Sequence, residues 1–181
     1  MQRMRMVCAV AGLAGCIASG VALGQAPAAP TGPTGPAAEV QKSYAALKVN
    51  ILKAADNMPG ENYSFKPTPE IRTFARVVNH ISEAQLRICG TANGTKELAK
   101  VPPETADKAA VVEALKASYA ECDKAYGALT DANLSDMFTL GPAKRSRVGL
   151  LWGNVSHDNE QYATLALYMR LKGLVPPSSE K

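Results

Sequence analysis

The 181-residue sequence predicts an all-α domain, a four-helix bundle with a long connection between its second and third helices. Three observations predict it. Apolar residues recur at steps of three and four in four separate segments, and Pro and Gly punctuate the gaps between them. No stretch alternates apolar with polar residues while rich in Val, Ile and Thr, so strands are not needed. With 46% hydrophobic and 20% charged residues, the composition is globular and excludes collagen-like, coiled-coil and wholly disordered chains. One domain fits the length and can bury a core without metal or disulfide help.

Residues 1–24 read as an export signal. Arg3 and Arg5 precede an uncharged run from Val7 to Leu23, and Ala22-Leu23-Gly24 places small residues where a signal peptidase cuts, making Gln25 the first mature residue. A second route exists, because Leu13-Ala14-Gly15-Cys16 resembles a lipobox that would leave a lipidated Cys16 at the N-terminus. The apolar run continues past Cys16 to Leu23, which favours cleavage before Gln25 and a periplasmic or secreted chain. At about 17 residues rich in Ala and Gly, the run is short for a permanent membrane span. Residues 25–36, QAPAAPTGPTGP, form a Pro/Gly/Ala-rich linker, and the bundle domain is expected over 37–181.

Val40, Tyr44, Leu47, Ile51, Ala55 and Met58 share one face of a first helix of roughly 20 residues, stopped by Pro59-Gly60. Thr68-Pro69-Glu70 offers a capping hydroxyl, a proline at the first helical position and an acid in the first turn, so the second helix is expected to start there. Its stripe is Phe74, Val77, Ile81, Ala84 and Ile88, with Gly90 suited to the left-handed turn at its end. About 15 polar, Pro-containing residues follow, enough to cross an end of the fold. The third helix carries Val111, Leu115, Ser118, Cys122, Ala125 and Leu129 and is capped by Thr105 or Asp107. A loop around Gly141-Pro142 leads to a fourth, expected from about Lys144 to Lys172, with Val148, Leu151, Val155, Tyr162, Leu165 and Met169 on one side.

The formal charge is +4, and without Arg3 and Arg5 it falls to 18 basic against 16 acidic residues. So small an excess gives no nucleic-acid footprint. Both histidines fall in helices. His80 follows Val77 and precedes Ala84 on the second helix's buried side, and His157 on the fourth has Gln161 one turn on. Two inward imidazoles on different helices, with a polar side chain at i+4, form the arrangement from which bundles build sites for Zn, Ni or Fe. The alternative is a pair of partly buried, hydrogen-bonding histidines. Asp158 and Glu160 lie about 100° or more away around the helix and are expected to point elsewhere. Asn79, Asn154 and Tyr162 flank the site as hydrogen-bonding or ligand-binding candidates, or as plain bundle-edge residues.

The blocks NMPGENYSFKPTPEIRTFARVVNHISEAQLRICG and WGNVSHDNEQYATLALYMRLKGLVPPSS resemble the DinB superfamily in its exported bacterial subgroup, over about Val40 to Ser179. The resemblance implies a four-helix bundle with an irregular middle connection. It also implies a three-histidine metal site, one ligand on the second helix and an H-x-x-x-H pair on the fourth. His80 and His157 match that pattern, and Gln161 stands where the third histidine would be. An amide oxygen is a poor ligand for a borderline-soft ion, so affinity is expected to fall. Relatives include thiol-dependent transferases and isomerases, which implies a metal-activated thiol here. The competing classes are a non-enzymatic binding or scaffold domain with a degenerate pocket, and metal-assisted hydrolysis with Glu83 or Glu160 as general base. A small-molecule ligand and a homodimer are both compatible with this reading.

Cys8 and Cys16 belong to the leader, leaving Cys89 and Cys122 in the domain. If the long connection lets the second and third helices run parallel, their C-terminal ends meet and an oxidising compartment favours a disulfide, stabilising by about 3 kcal/mol. The alternative is two buried free thiols. Trp152 is expected at the core or bundle edge. Lys144, Arg145 and Arg147 are expected to open the fourth helix as a solvated face or an anion contact. Asn62-Tyr63-Ser64, Asn93-Gly94-Thr95 and Asn133-Leu134-Ser135 have the glycosylation form, which a bacterial-type leader makes irrelevant.

Overall fold

The computed structural model describes residues 34–180. The leader with Arg3, Arg5, Cys8 and Cys16, the cleavage point before Gln25 and most of the linker lie outside the described residues. Four helices make the bundle: α1 (Pro36–Asn57), α2 (Phe74–Asn93), α3 (Lys108–Gly127) and α4 (Arg147–Leu171). A two-stranded hairpin, β1 (Met137–Leu140) and β2 (Ala143–Ser146), precedes α4. Among the described residues no helix is long and apolar enough to cross a membrane.

α1 packs against α3 and α4, and α2 packs against the same two, so α1 and α2 sit at opposite corners. Every stripe residue expected on α1, α2 and α3 is buried, from Val40 and Ile51 through Ile81 to Leu115. Burial of that apolar surface is the main stabilising term. α1 is tied to α3 by the stacked rings of Tyr44 and Tyr126, 3.8 Å apart, and by Asp123, which accepts from Tyr44 Oη at 2.7 Å and pairs with Lys48 Nζ at 2.7 Å.

α2 and α3 run parallel. Gln85 meets Ser118 and Cys89 is bonded to Cys122, each pair 33 residues apart, and a constant offset is the mark of parallel strands of chain. Residues 94–107, without helix or strand, return the chain to the starting end of the bundle. The Cys89–Cys122 disulfide joins two buried residues whose Cα atoms are 4.9 Å apart. Beside it, Glu121 on α3 accepts from Asn93 Nδ2 at 2.7 Å and from Thr95, fastening the end of α2.

The boundaries correct the sequence reading in three places. α2 begins at Phe74 and not at Thr68, with Thr73 as the cap accepting from the Arg76 amide. The intervening chain is held by non-helical pairs, Phe74 N–H to Phe65 O and Ala75 N–H to Tyr63 O, both 2.9 Å, so residues 68–71 form only a turn. α2 ends at Asn93 with Gly94 at φ +72°, not at Gly90. Gly90 instead serves packing, since a Cβ there would lie 2.5 Å from Leu98 Cδ2.

The third correction is the hairpin, where no strand was expected. Leu140 pairs with Ala143 across Gly141-Pro142, and Gly141 takes φ +59°, as a two-residue hairpin turn requires. Lys144 and Arg145 therefore lie on β2 and only Arg147 opens α4, which Ser146 caps. Arg147 stacks 4.7 Å from the Phe138 ring centre and pairs with Asp136. Trp152 is 52% exposed and is not a core residue.

Two predictions follow from the α2–α3 seam. Replacing Cys89 and Cys122 together by Ala lowers stability by about 3–4 kcal/mol and Tm by roughly 10 °C, read by thermal denaturation with and without reductant. Hydrogen bonds from Asn93 and then Thr95, with Lys124 nearby, lower the Glu121 carboxyl to about 2. Its contribution is therefore present above the ordinary carboxylate range and is lost as pH falls towards that value. Glu121→Gln should flatten the decline of the urea midpoint between about pH 5 and pH 2.

Candidate functional site

His80 on α2 and His157 on α4 converge. Their Nε2 atoms are 3.2 Å apart and their ring centres 4.9 Å apart, with the planes inclined at 67°. Each side chain keeps about a quarter of its surface in solvent, 28% for His80 and 23% for His157, so the pair is reachable from outside. Burial, then the cations Arg72 and Arg76 together with His157, hold His80 below the usual imidazole range. Glu83, whose Oε2 is 3.9 Å from His80 Nδ1 and 3.0 Å from Arg76, opposes that shift.

Behind His157 lies a carboxylate the sequence reading directed elsewhere. Asp158 is 2% exposed, and its Oδ1 lies 3.2 Å from His157 Nδ1. The helix-wheel angle failed here because α4 is covered by α1, α2 and the hairpin, so a wide arc of it faces protein. Neighbouring side chains can then both turn inward. Asp158 Oδ2 accepts from Gln85 Nε2 at 2.8 Å and from Asn154 Nδ2 at 3.4 Å. Gln85 Oε1 in turn accepts from Ser118 Oγ at 2.6 Å. Burial raises the Asp158 carboxyl above its ordinary range, and the contacts from His157, Gln85 and Asn154 pull it back. When Asp158 is ionised, His157 Nδ1–H donates to it, which leaves the Nε2 lone pair facing His80.

The other candidates separate. Gln161 is buried one turn beyond His157, in the wall of a neighbouring cleft with Arg72, Val77, Glu160 and Tyr168. Asn79 is 1% exposed and donates to Pro102 O at 2.8 Å, pinning the 94–107 connection. Asn154 belongs to the Asp158 network and also donates to Tyr126 Oη at 3.3 Å. Tyr162 Oη accepts from the Ser178 amide at 2.9 Å and docks the C-terminal segment. Glu160 lines the same cleft as Gln161.

Two imidazole nitrogens 3.2 Å apart match one edge of a tetrahedral ion with N–metal bonds of about 2.0–2.1 Å. A carboxylate on the far ring nitrogen is the usual support of a metal-ligating histidine. The donor set thus fits a divalent ion on two sides. Among the described residues no group of three or more His, Cys, Asp or Glu side chains is placed to hold one. Gln85, Ser118 and Asp158 were missed by sequence reasoning. The available signal was Ser118 standing in an otherwise apolar stripe, since a buried hydroxyl needs a partner.

Gln85→Leu would leave the buried Asp158 carboxylate without its nearest amide donor and should lower stability by about 2 kcal/mol. In an Asp158→Asn background the loss should shrink by at least about 1 kcal/mol, measured as a double-mutant cycle in urea.

A family model for the DinB superfamily matches residues 43–165. Among solved structures, the fold is similar to that of a DinB-like protein from Bacillus cereus ATCC 10987. That match has a TM-score of 0.63 at 19% identity over 76% of this chain and 93% of that one. It is also similar to a DinB-like protein, YjoA, from Bacillus subtilis, with TM-score 0.57 at 15% identity over 75% and 92%. No curated protein matches the chain. A family match that spans most of the bundle, on the fold those structures share, makes this chain a member of the DinB superfamily.

Proposed function

We propose that this DinB superfamily protein is exported and binds one divalent ion, Zn, Ni or Fe, between His80 and His157. The observation that carries the reading is the 3.2 Å approach of the two Nε2 atoms with Asp158 set behind His157. Gln161, an amide one turn on, would add at most a weak third donor, so the ion is held loosely and exchanges. The Cys89–Cys122 disulfide supports an oxidising compartment.

When bound, the ion would supply Lewis acidity that acidifies a thiol or water brought to the pair. The residues themselves do the positioning. Asp158 fixes the His157 ring, Gln85 and Asn154 fix Asp158, and burial with neighbouring cations disfavours protonation of His80, which favours the neutral ring and its one imine lone pair. Glu83, between Arg76 and His80, is the solvent-exposed carboxylate beside the pair and would be the one to accept a proton. A thiol-dependent transferase, which the family resemblance implies, or a hydrolase with Glu83 as base, is compatible with that arrangement. A second reading, a scaffold with a degenerate pocket, is favoured by the amide at position 161 and the missing third donor.

The test is calorimetric titration of tag-free, chelator-stripped protein with zinc, nickel and, under anaerobic conditions, ferrous iron. One ion per chain is expected, lost in His80→Ala and in His157→Ala, weakened about 10–100-fold in Asp158→Asn, and tightened more than about tenfold in Gln161→His. A folded protein that takes up no zinc, nickel or iron gives the scaffold reading instead.

A further inference from the structure

We infer that the cleft between α2, the hairpin and α4 binds a small molecule through an oxyanionic group, a carboxylate or phosphate, and presents its other end to the imidazole pair. The cleft encloses about 320 Å³ and is lined by Arg87 of α2, Leu140 and Arg145 of the hairpin, and Gly149, Gly153 and His157 of α4. Arg87 and Arg145, both exposed to solvent, line this space, and among the described residues no carboxylate lines it. Neither Arg87 nor Arg145 has an acidic partner among the described residues. Three other cations that bind acids nearby are Lys48 with Asp123, Arg76 with Glu83, and Arg147 with Asp136, so these acids are already engaged elsewhere.

Arg145 also stands two residues before α4, at the positive end of the helix dipole, where a cation is disfavoured unless an anion joins it. A carboxylate or phosphate bridging two guanidinium groups relieves both charges and forms strong, geometrically defined hydrogen bonds.

The glycines give an independent sign. Gly149, Gly153, His157 and Gln161 follow at i+4 along one ridge of α4. Glycine weakens a helix interior relative to alanine, so it needs a reason. Gly149 has one in packing, because a Cβ would come 3.0 Å from Ser146 Oγ. Gly153 has none, since a Cβ there would meet nothing within 4 Å. Its missing side chain keeps the cleft open in the turn before His157. The bland outcome, two solvated arginines beside an empty groove, leaves Gly153 unexplained.

The inference rests on the proposed site only for what the ligand's far end meets, and the experiment keeps the two apart. Chelator-stripped protein is titrated with inorganic phosphate and, separately, with succinate, while the His157 ring resonances are followed by NMR. Saturable shifts with one or both anions are expected, and their relative strength tells phosphate from carboxylate. Arg87→Gln and Arg145→Gln should each weaken binding by about tenfold or more. Gly153→Leu should abolish it without lowering Tm, which separates a blocked cleft from a misfolded chain. No saturable shift with either anion, or shifts that survive the arginine variants, overturns the inference. Zinc titration of the arginine variants and phosphate titration of His80→Ala show which of the two sites failed.

Discussion

A carboxylate 2% exposed in the middle of a helical bundle is the constraint around which this site is arranged. Leaving water costs a charged group several kcal/mol unless donors replace the solvent. Asp158 takes its donors from Gln85 on one helix and from Asn154 and His157 on its own. Gln85 can turn its NH₂ to Asp158 only with its oxygen the other way, and Ser118 on α3 supplies the proton for that oxygen. A single chain of contacts therefore crosses α4, α2 and α3 at one level. One turn further along, the Cys89–Cys122 bond holds the same 33-residue offset. The imidazole of His157 is attached to the surface end of this chain, so its orientation is set by the bundle's interior.

The helical faces were legible because burial follows period: each apolar stripe on α1, α2 and α3 lies in the core. Helix ends were less so, because capping chemistry occurs more often than helices begin. Thr68-Pro69-Glu70 and Thr73 both qualify as starts, and the choice falls to Thr73 because the Tyr63 and Phe65 carbonyls claim the Phe74 and Ala75 amides. No local pattern carries that information. Gly90 and Gly94 posed the same ambiguity, resolved by the contact of Leu98 with the first.

The hairpin was illegible for a different reason. Met137–Leu140 alternates over only four residues, and Lys144-Arg145 reads as well for a helix start as for an exposed strand. The pairing is fixed by tertiary contacts, Phe138 under Arg147 and the Arg147 amide on Asp136 O at 2.7 Å. Missing the hairpin hid the cleft, since β2 brings Arg145 into the same cleft as Arg87. The two histidines were legible as a pair because each sits beside apolar stripe residues, whereas Asp158, one position from His157, was lost by treating a helix as having one buried side.

The i+4 ridge of α4 accounts for why His157 and Gln161 do not share a wall. Each step of four residues advances about 400°, so the row drifts about 40° around the axis per turn. Gly149 and Gly153 open on the cleft beside the hairpin, His157 stands at its edge against His80, and Gln161 has turned into the next cleft beside Arg72 and Tyr168. A histidine at 161 would offer an imidazole nitrogen, a strong donor for a borderline-soft ion. A glutamine there offers only a weak amide oxygen. In the proposed site, glutamine at this position would weaken hold on an ion while leaving the arginine-lined side untouched. On the side of His157 that faces Gly153, the inferred anion site draws on Arg87 and Arg145 lining one cleft and on the open space at Gly153.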